Sequence, residues 1–474
     1  MGTMGQNLAL NIASRGFVVA AYNRPDEFQA RVWGALERAK EEGERKGSKM
    51  QIVAFTDVGE FVRSLRTPRR VLLSIPAGKA VDDTIELLLP HLQEDDVVID
   101  GGNEHFSNTE RRAKDLMEAK KIHLVGMGIS GGATGARYGP SLMPGCTAHA
   151  WEALKPVLES MAARVKDRPM VTHVGLGGAG HFVKMVHNGI EYAEMQYLAE
   201  AYTLLKLKGL DPQGMREIFE RWNGEGSELQ SYLMEITSKI VTFPDDKDEG
   251  AYVLDKILDA AGSKGTGKWT VQCAADCGIA APCIAAALEA RFVSAQKDLR
   301  SKLEETLSSA DSSVSESRQA QGVSIEVIAE ALLFARICAY AQGLHVIFVA
   351  NKEHGWGINI RNVASIWQGG CIIRAKLLES IVDALAEEGE IPNLLLVPFF
   401  ARKVSNLHQS ARQTVVYSIL NEVPVPALSA AVTYFDGMRQ SRGPANLIQA
   451  QRDYFGAHTY GRVDMDGKFH TQWY

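Results

Sequence analysis

The sequence predicts a doubly wound α/β domain over residues 1–178, a large all-α domain over 179–440, and a tail over 441–474. Three observations predict this. Short apolar runs alternate with helical stretches through the first 130 residues, the signature of a parallel sheet covered by helices. Beyond Gly178 long amphipathic stretches follow one another with few strand signals. From Ser441 the chain returns to Gly, aromatic and charged residues, a composition that builds no core of its own and suits packing on another subunit. At 474 residues the chain exceeds one ordinary core, so two or more domains are expected.

The elements read in order as follows. Residues 17–22 (Phe-Val-Val-Ala-Ala-Tyr), 71–75 (Val-Leu-Leu-Ser-Ile), 96–100 (Asp-Val-Val-Ile-Asp) and 121–126 (Lys-Ile-His-Leu-Val-Gly) read as buried parallel strands. Residues 35–49 form a charged run that reads as a solvated helix or insertion. Residues 181–205 read as a strong helix, and 301–322, rich in Ser, Gln and Glu, as an exposed loop or frayed helix end.

Composition narrows the function classes. A hydrophobic content of 46% and a charged content of 23% are ordinary for a soluble globular protein. A net charge of −6 gives no electrostatic basis for nucleic acid or an anionic membrane as partner, although an anionic substrate would need a local basic patch. Six cysteines in a chain this long point to a reducing compartment rather than a disulfide framework. Cys273, Cys277 and Cys283 lie close in sequence, but no His stands at ligand spacing, so no metal is assigned there. No run approaches the ~18 consecutive apolar residues of a membrane span. The N-terminus shows no signal peptide, and Gln6 stands where a myristoylation signal has Ser or Thr. A cytoplasmic protein is expected.

The chain opens Met1-Gly2-Thr3-Met4-Gly5-Gln6, with two glycines spaced as the last two of G-x-G-x-x-G, ahead of helical periodicity through Ser14. Such glycines let backbone approach a pyrophosphate at a helix N-terminus, where unpaired N–H groups favour anions. Asn23 and Arg24 follow the next strand, where NAD sites carry an acidic residue and Arg accommodates a 2′-phosphate. The plainer reading is a surface Arg in a turn before Pro25. Position and spacing favour NADP and a Rossmann-type domain. The fingerprint ordinarily follows a central strand, so the expectation is that about nine residues, one strand and the first glycine, precede Met1 in the natural protein.

Two other motifs fail their own requirements. Gly128-Ile129-Ser130-Gly131-Gly132 satisfies G-x-S-x-G, but Gly135, Gly139, Pro140 and Pro144 predict a loop rather than the helix that a nucleophile elbow needs. Ser130 and the following glycines read instead as donors for a carboxylate or oxyanion. Gly262-Ser263-Lys264-Gly265-Thr266-Gly267-Lys268 nearly matches a Walker A loop, but Trp269 stands where Ser or Thr should bind magnesium. A Gly-rich phosphate clamp remains.

Within the 181–205 helix, Lys184, His187, Asn188, Glu191 and Tyr192 fall at i, i+3, i+4, i+7 and i+8, hence on one face. The other faces are apolar, so the helix is buried with a polar seam, and buried polar groups need partners. Lys184 and Glu191 are about 10 Å apart in helix rise and make no standard i,i+4 pair. A Lys and a Glu held apart suit a base and an acid acting on different atoms of one substrate; the plain alternative is an exposed face with an i,i+4 network.

These motifs resemble those of the 6-phosphogluconate dehydrogenase family. The resemblance is carried by Asp100-Gly101-Gly102-Asn103, residues 126–145, residues 180–192 (Gly-His-Phe-Val-Lys-Met-Val-His-Asn-Gly-Ile-Glu-Tyr), residues 264–270 and residues 445–458, and it spans essentially the whole chain. It implies conversion of 6-phosphogluconate and NADP to ribulose 5-phosphate, carbon dioxide and NADPH, a metal-free step of the pentose phosphate pathway. By resemblance, Lys184 takes the proton of the 3-hydroxyl and Glu191 later protonates C1. Asn103, Ser130, Gly131, Gly132, His187 and Asn188 hold the carboxylate and hydroxyl end of the substrate. Tyr192, Lys264, Arg291, Arg452 and His458 surround its phosphate, the last two reaching in across a homodimer. Cofactor contacts fall to Gly2, Thr3, Met4, Gly5, Asn23, Arg24, Ile75, Pro76, Ala77 and Asn103.

The sequence departs from the family pattern at Pro25, where Thr often follows the Asn-Arg pair, and at Pro76, where many members have Lys. Two rival readings stand beside the main one. A related β-hydroxyacid dehydrogenase without decarboxylation would lack the phosphate cluster, and an inactive cofactor-binding paralogue would have no need of both Lys184 and Glu191.

Overall fold

The computed structural model describes residues 2–23, 34, 37, 38, 41, 50–308, 322–389 and 391–474. Met1, Arg24, most of the charged run 35–49 and most of 301–322 lie outside the described residues.

The N-terminal part begins with α1 (Thr3–Ser14) and two parallel strands, β1 (Val19–Tyr22) and β2 (Ile52–Phe55). Next come α2 (Val58–Ser64), β3 (Arg70–Leu73), α3 (Lys79–Leu88), β4 (Val97–Asp100), α4 (Phe106–Lys120) and β5 (His123–Ser130). They are followed by α5 (Gly132–Tyr138), β6 (Ser141–Gly145) and α6 (Ala148–Met161). Strands β3, β4 and β5 are parallel neighbours, β6 runs antiparallel on β5, and β1–β2 form a separate sheet.

The strands are apolar on both faces because helices cover both. Val97 and Ile99 share one core with Val125, Met127, Ile129, Leu8 of α1 and Leu154 and Leu158 of α6. Val98 and Leu124, one residue out of phase, share the other with Phe61, Val81, Ile85 and Leu116 from α2, α3 and α4. This period of two within continuous apolar runs is the physical content of a doubly wound fold.

All four predicted strands form, with ends shifted by a few residues. Strands β2 and β6 were not anticipated: β2 has only four residues, and β6 contains Pro144 and follows turn-forming residues. The stretch after Ser130, expected as a loop, is corrected to the helix α5 and strand β6. Its glycines serve close approach rather than a break in structure: a Cβ on Gly131 would lie 2.4 Å from the Gly370 carbonyl oxygen.

A short antiparallel pair, β7 (Arg164–Val165) and β8 (Arg168–Pro169), also not anticipated, follows α6. The rest is helical: α7 (Ala179–Leu207), α8 (Pro212–Trp222), α9 (Tyr232–Ile240), α10 (Val253–Lys256), α11 (Thr266–Asp276), α12 (Pro282–Ala295), α13 (Lys297–Ser308), α14 (Ile325–His354), α15 (Ile360–Ile366), α16 (Leu377–Glu388), α17 (Pro398–Leu420), α18 (Pro426–Met438) and α19 (Ala445–Gly456). Residues 301–308, expected as loop or frayed end, continue α13.

Helix α14 is the axle of this part and packs on α7 and α17. It is long and apolar enough to cross a membrane, yet Ala331 to Leu344 are buried in the protein core without a break. Its one charge in that stretch, Arg336, is paired with Glu194 of α7 at 2.7 Å, as a buried charge requires.

Candidate active site on helix α7

Helix α7 lies directly on the sheet because glycine lines both surfaces. A Cβ on Gly180 would fall 2.1 Å from the Gly126 carbonyl oxygen and 2.2 Å from that of Met143, and one on Gly128 would fall 2.4 Å from Lys184 Cβ. No other residue type fits such an approach. The contact also buries His181, whose ring meets Thr109 Oγ1 at 2.7 Å and the Asp100 carbonyl oxygen at 3.1 Å. The first turns of α7 are thereby tied to the carboxyl end of β4.

The predicted seam is present and mostly buried. Lys184, His187, Asn188 and Tyr192 are buried, and the Glu191 side chain keeps 21% of its exposure. His187 is the hub. Its Nε2 meets Ser130 Oγ at 3.1 Å, while its Nδ1 lies 3.1 Å from Asn188 Oδ1, 3.4 Å from Lys184 Nζ and 3.7 Å from Glu191 Oε2. Asn188 Nδ2 donates to Thr266 Oγ1 at 3.0 Å. Ser130 Oγ also accepts from the Ile372 N–H at 3.4 Å.

Burial sets the electrostatics. It lowers the Lys184 amine against the opposing pull of Glu191 and Cys371, and raises the Glu191 carboxyl against Lys184 and Arg291. His187 is driven well below the usual imidazole value by burial and then by Lys184. Burial thus moves the amine, the carboxyl and the imidazole each toward its neutral form.

At the far end of the seam the Tyr192 hydroxyl meets Ser263 Oγ at 3.2 Å, and the Arg291 guanidinium covers its ring at 3.5 Å. Arg291 also donates to the Gly262 carbonyl oxygen at 3.0 Å, drawing the Gly-rich loop with its exposed Lys264 to the same place. That loop ends at Gly265 (φ +93°), where α11 starts. Arg452 and His458 are not brought there within one chain. Arg452 bonds Gln449 of its own helix α19, and the His458 ring packs on Phe455.

The candidate cofactor residues lie in the N-terminal part, on α1, after β1 and in the loops after β3 and β4. Gly2 caps α1 with no side-chain hydrogen bond, and the first turn holds no acidic residue, so among the described residues that turn brings no carboxylate of its own to the N–H groups of Thr3, Met4 and Gly5. These residues fit a pyrophosphate. Helix α1 is pinned by Asn11, which donates to the Ala136 and Met161 carbonyl oxygens at 3.1 and 2.9 Å. Asn23 stands at the end of β1, its N–H on the Phe55 carbonyl oxygen; Arg24 lies outside the described residues. The loop of Ile75, Pro76 and Ala77 leads to Gly78, whose N–H donates to Glu104 at 2.7 Å. Arg112 holds both ends of that link, at 2.6 Å from Glu104 and 2.9 Å from the Gly78 carbonyl oxygen. Burial alone would raise Glu104, but Asn108, Arg112 and two backbone N–H groups hold it at about 2. The exposed Asn103, next to Glu104, is thus set beside the loop that ends at Gly78.

Residues 1–175 match the family model described as the NAD binding domain of 6-phosphogluconate dehydrogenase, and residues 180–473 match that of its C-terminal domain. The chain belongs to the 6-phosphogluconate dehydrogenase family. A rice (Oryza sativa subsp. japonica) relative named 6-phosphogluconate dehydrogenase, decarboxylating 1, is 46% identical, with 100% of this chain and 96% of the relative covered. The NADP(+)-dependent, decarboxylating 6-phosphogluconate dehydrogenase of Bacillus subtilis is 46% identical over 100% of this chain and 97% of its own length. The solved 6-phosphogluconate dehydrogenase of Plasmodium falciparum, studied in apo form and with its cofactor NADP+ and its substrate 6-phosphogluconate, aligns with a TM-score of 0.92 at 41% identity. That alignment covers 99% of this chain and 98% of the other.

Several residues at the seam were not singled out from sequence. Thr266 and Ser263, which hold Asn188 and Tyr192, sit inside the Gly-rich loop, so that loop was their signal. Cys371 follows Gly369-Gly370, and burial pushes its thiol up to about 12. Glu104 and Arg112 gave no signal, because a Glu before a helix and an Arg within one read as surface.

Proposed function

We propose that this chain is an NADP-dependent, decarboxylating 6-phosphogluconate dehydrogenase, with Lys184 as general base and Glu191 as the later proton donor. One observation carries the assignment of roles: burial shifts these two groups in opposite directions on one seam, each toward the neutral form its task needs. NADP, when bound, supplies the acceptor for hydride from C3. Lys184 removes the 3-hydroxyl proton, the 3-keto acid formed loses carbon dioxide to leave an enediol, and Glu191 delivers a proton to C1. His187, between the two, lies within reach of both and is held by Ser130.

Asn103, Ser130, Gly131, Gly132, His187 and Asn188 take the carboxylate and hydroxyl end. Tyr192, Lys264 and Arg291 take the phosphate, completed by Arg452 and His458 of the partner subunit in a homodimer. Leu447, Ile448 and Phe455 of α19 are more than half exposed, which supports a surface that another copy covers. The division 1–178, 179–440 and 441–474 is the working domain scheme, with the first unit holding NADP through Gly2 to Gly5, Asn23, Arg24, Ile75 to Ala77 and Asn103. Six free cysteines fit a reducing, cytoplasmic location.

The test is NADPH formation from 6-phosphogluconate and NADP+, with carbon dioxide measured in parallel. Equal amounts of both products are expected. A folded protein yielding neither would establish the inactive-paralogue reading, and NADPH without carbon dioxide the simple β-hydroxyacid dehydrogenase.

A further inference from the structure

The amino ends of the strands carry a second cluster of chemistry-bearing side chains, away from the α7 seam. Asp95 lies in the turn before β4, His123 opens β5, and His149 is in the first turn of α6. His123 Nε2 and His149 Nε2 each lie 3.6 Å from Asp95 Oδ1, and one ligand atom from each of the three residues lies within 4.8 Å of the other two. We propose that Asp95, His123 and His149 form a binding site for one divalent transition-metal ion of the zinc class.

The geometry and the donor set both point there. Tetrahedral bonds of ~2.0–2.1 Å from nitrogen and oxygen place ligand atoms about 3.3–3.4 Å apart. The two measured edges exceed this by only a few tenths of an ångström. Two imidazoles and one carboxylate select zinc-like ions over magnesium or calcium, which take oxygen, and water would complete the fourth position.

The histidine rings stack with centroids 4.9 Å apart, and burial, then the neighbouring His149, lowers the His123 imidazole. A neutral imidazole offers a lone pair to a metal. Thr147 provides the supporting contact. Its Oγ1 lies 3.2 Å from His123 Nδ1, and a proton donated there leaves the Nε2 lone pair facing Asp95, as metal-bound histidines are ordinarily held.

The site is open to solvent, with the Asp95 and His149 side chains both 58% exposed. It lies at the opposite end of β5 from Ser130, seven residues or roughly 23 Å along the strand. Its ion would join the β4 turn, the start of β5 and the start of α6 without touching the reacting groups.

Metal-stripped protein titrated with Zn2+ by calorimetry, and with Co2+ followed by its visible absorption, tests the site. One ion per chain is expected, with a raised unfolding temperature. His149→Ala should weaken Zn2+ binding at least tenfold, about 1.4 kcal/mol, while turnover in chelator stays at the wild-type rate. Thr147→Val should weaken binding roughly 10–100-fold, and Thr147→Ser should restore it. Equal Zn2+ affinity in wild type and His149→Ala, or no saturable binding by folded wild-type protein, would overturn the proposal.

Discussion

Gly128 lies directly beneath Lys184, so close that a methyl group on its Cα would sit 2.4 Å from Lys184 Cβ. The strand thus sets the depth at which the lysine is buried, and burial lowers its pKa. Gly128→Ala is expected to push the first turns of α7 outward, at a cost of about 1–3 kcal/mol in stability. With the amine better solvated, its pKa should rise toward the ordinary lysine value. The acid limb of the kcat/KM profile should then move to higher pH, and turnover at neutral pH should fall at least ~10-fold. An unmoved acid limb in the variant would detach the packing from the chemistry.

Lys184 and Glu191 predict the two limbs of that profile. The base works deprotonated, so activity is lost as pH falls through the depressed lysine pKa. The acid works protonated, so activity is lost as pH rises through the elevated Glu191 pKa. Lys184→Met should reduce hydride transfer by roughly 10²–10⁴-fold, read as the first-turnover rate of NADPH formation. Glu191→Gln should leave that first step largely intact, slow steady-state turnover and flatten the alkaline limb. Loss of the first-turnover burst in Glu191→Gln would show that the glutamate acts before decarboxylation.

How much of this was legible in the sequence depends on whether a group's role is local. The seam was legible because helical spacing alone places Lys184, His187, Asn188, Glu191 and Tyr192 together. His187 as the link between Lys184 and Glu191 was not, since its orientation depends on Ser130, contributed from 57 residues away. The stretch after Ser130 misled because its glycines and prolines usually signal loops. Here those glycines meet Gly370 and Ala163 backbone atoms, contacts that appear only on folding. Strand β2 was too short for a pattern, and the link from Arg112 to Glu104 and Gly78 joins residues with no shared local motif.

Glu200 predicts a pH dependence of stability unrelated to catalysis. Its buried carboxylate oxygens accept from the Ala427 and Leu428 N–H groups, both at 2.9 Å, at the start of α18. Burial nonetheless raises the group to about 7. In the unfolded chain it titrates near ~4.3, so the folded state binds the proton more tightly. The stability it contributes is complete below about pH 4.3 and is lost as pH rises through about 7. Glu200→Gln should flatten the fall in unfolding free energy across that window, measured by urea denaturation at several pH values. The same slope in variant and wild type would rule this group out as its source.

The placement of Arg452 and His458 predicts complementation between subunits. Among the described residues of one chain Arg452 bonds inside α19, to Gln449 at 3.1 Å, whereas Lys184 lies in α7. If each active site takes its lysine from one subunit and its arginine from the other, an inactive variant and a weakly binding one, assayed at substrate far below the raised KM, should rescue each other. Arg452→Ala should raise KM for 6-phosphogluconate by at least ~10-fold, the loss expected for one charge-assisted phosphate contact, with little change in KM for NADP. Lys184→Met should be inactive. Denatured together in equal amounts and refolded, half the two-fold dimers would be mixed, each with one intact site. About a quarter of wild-type activity should then return. Recovery no greater than the sum of the separately refolded variants would place Arg452 in the same subunit's site or outside it.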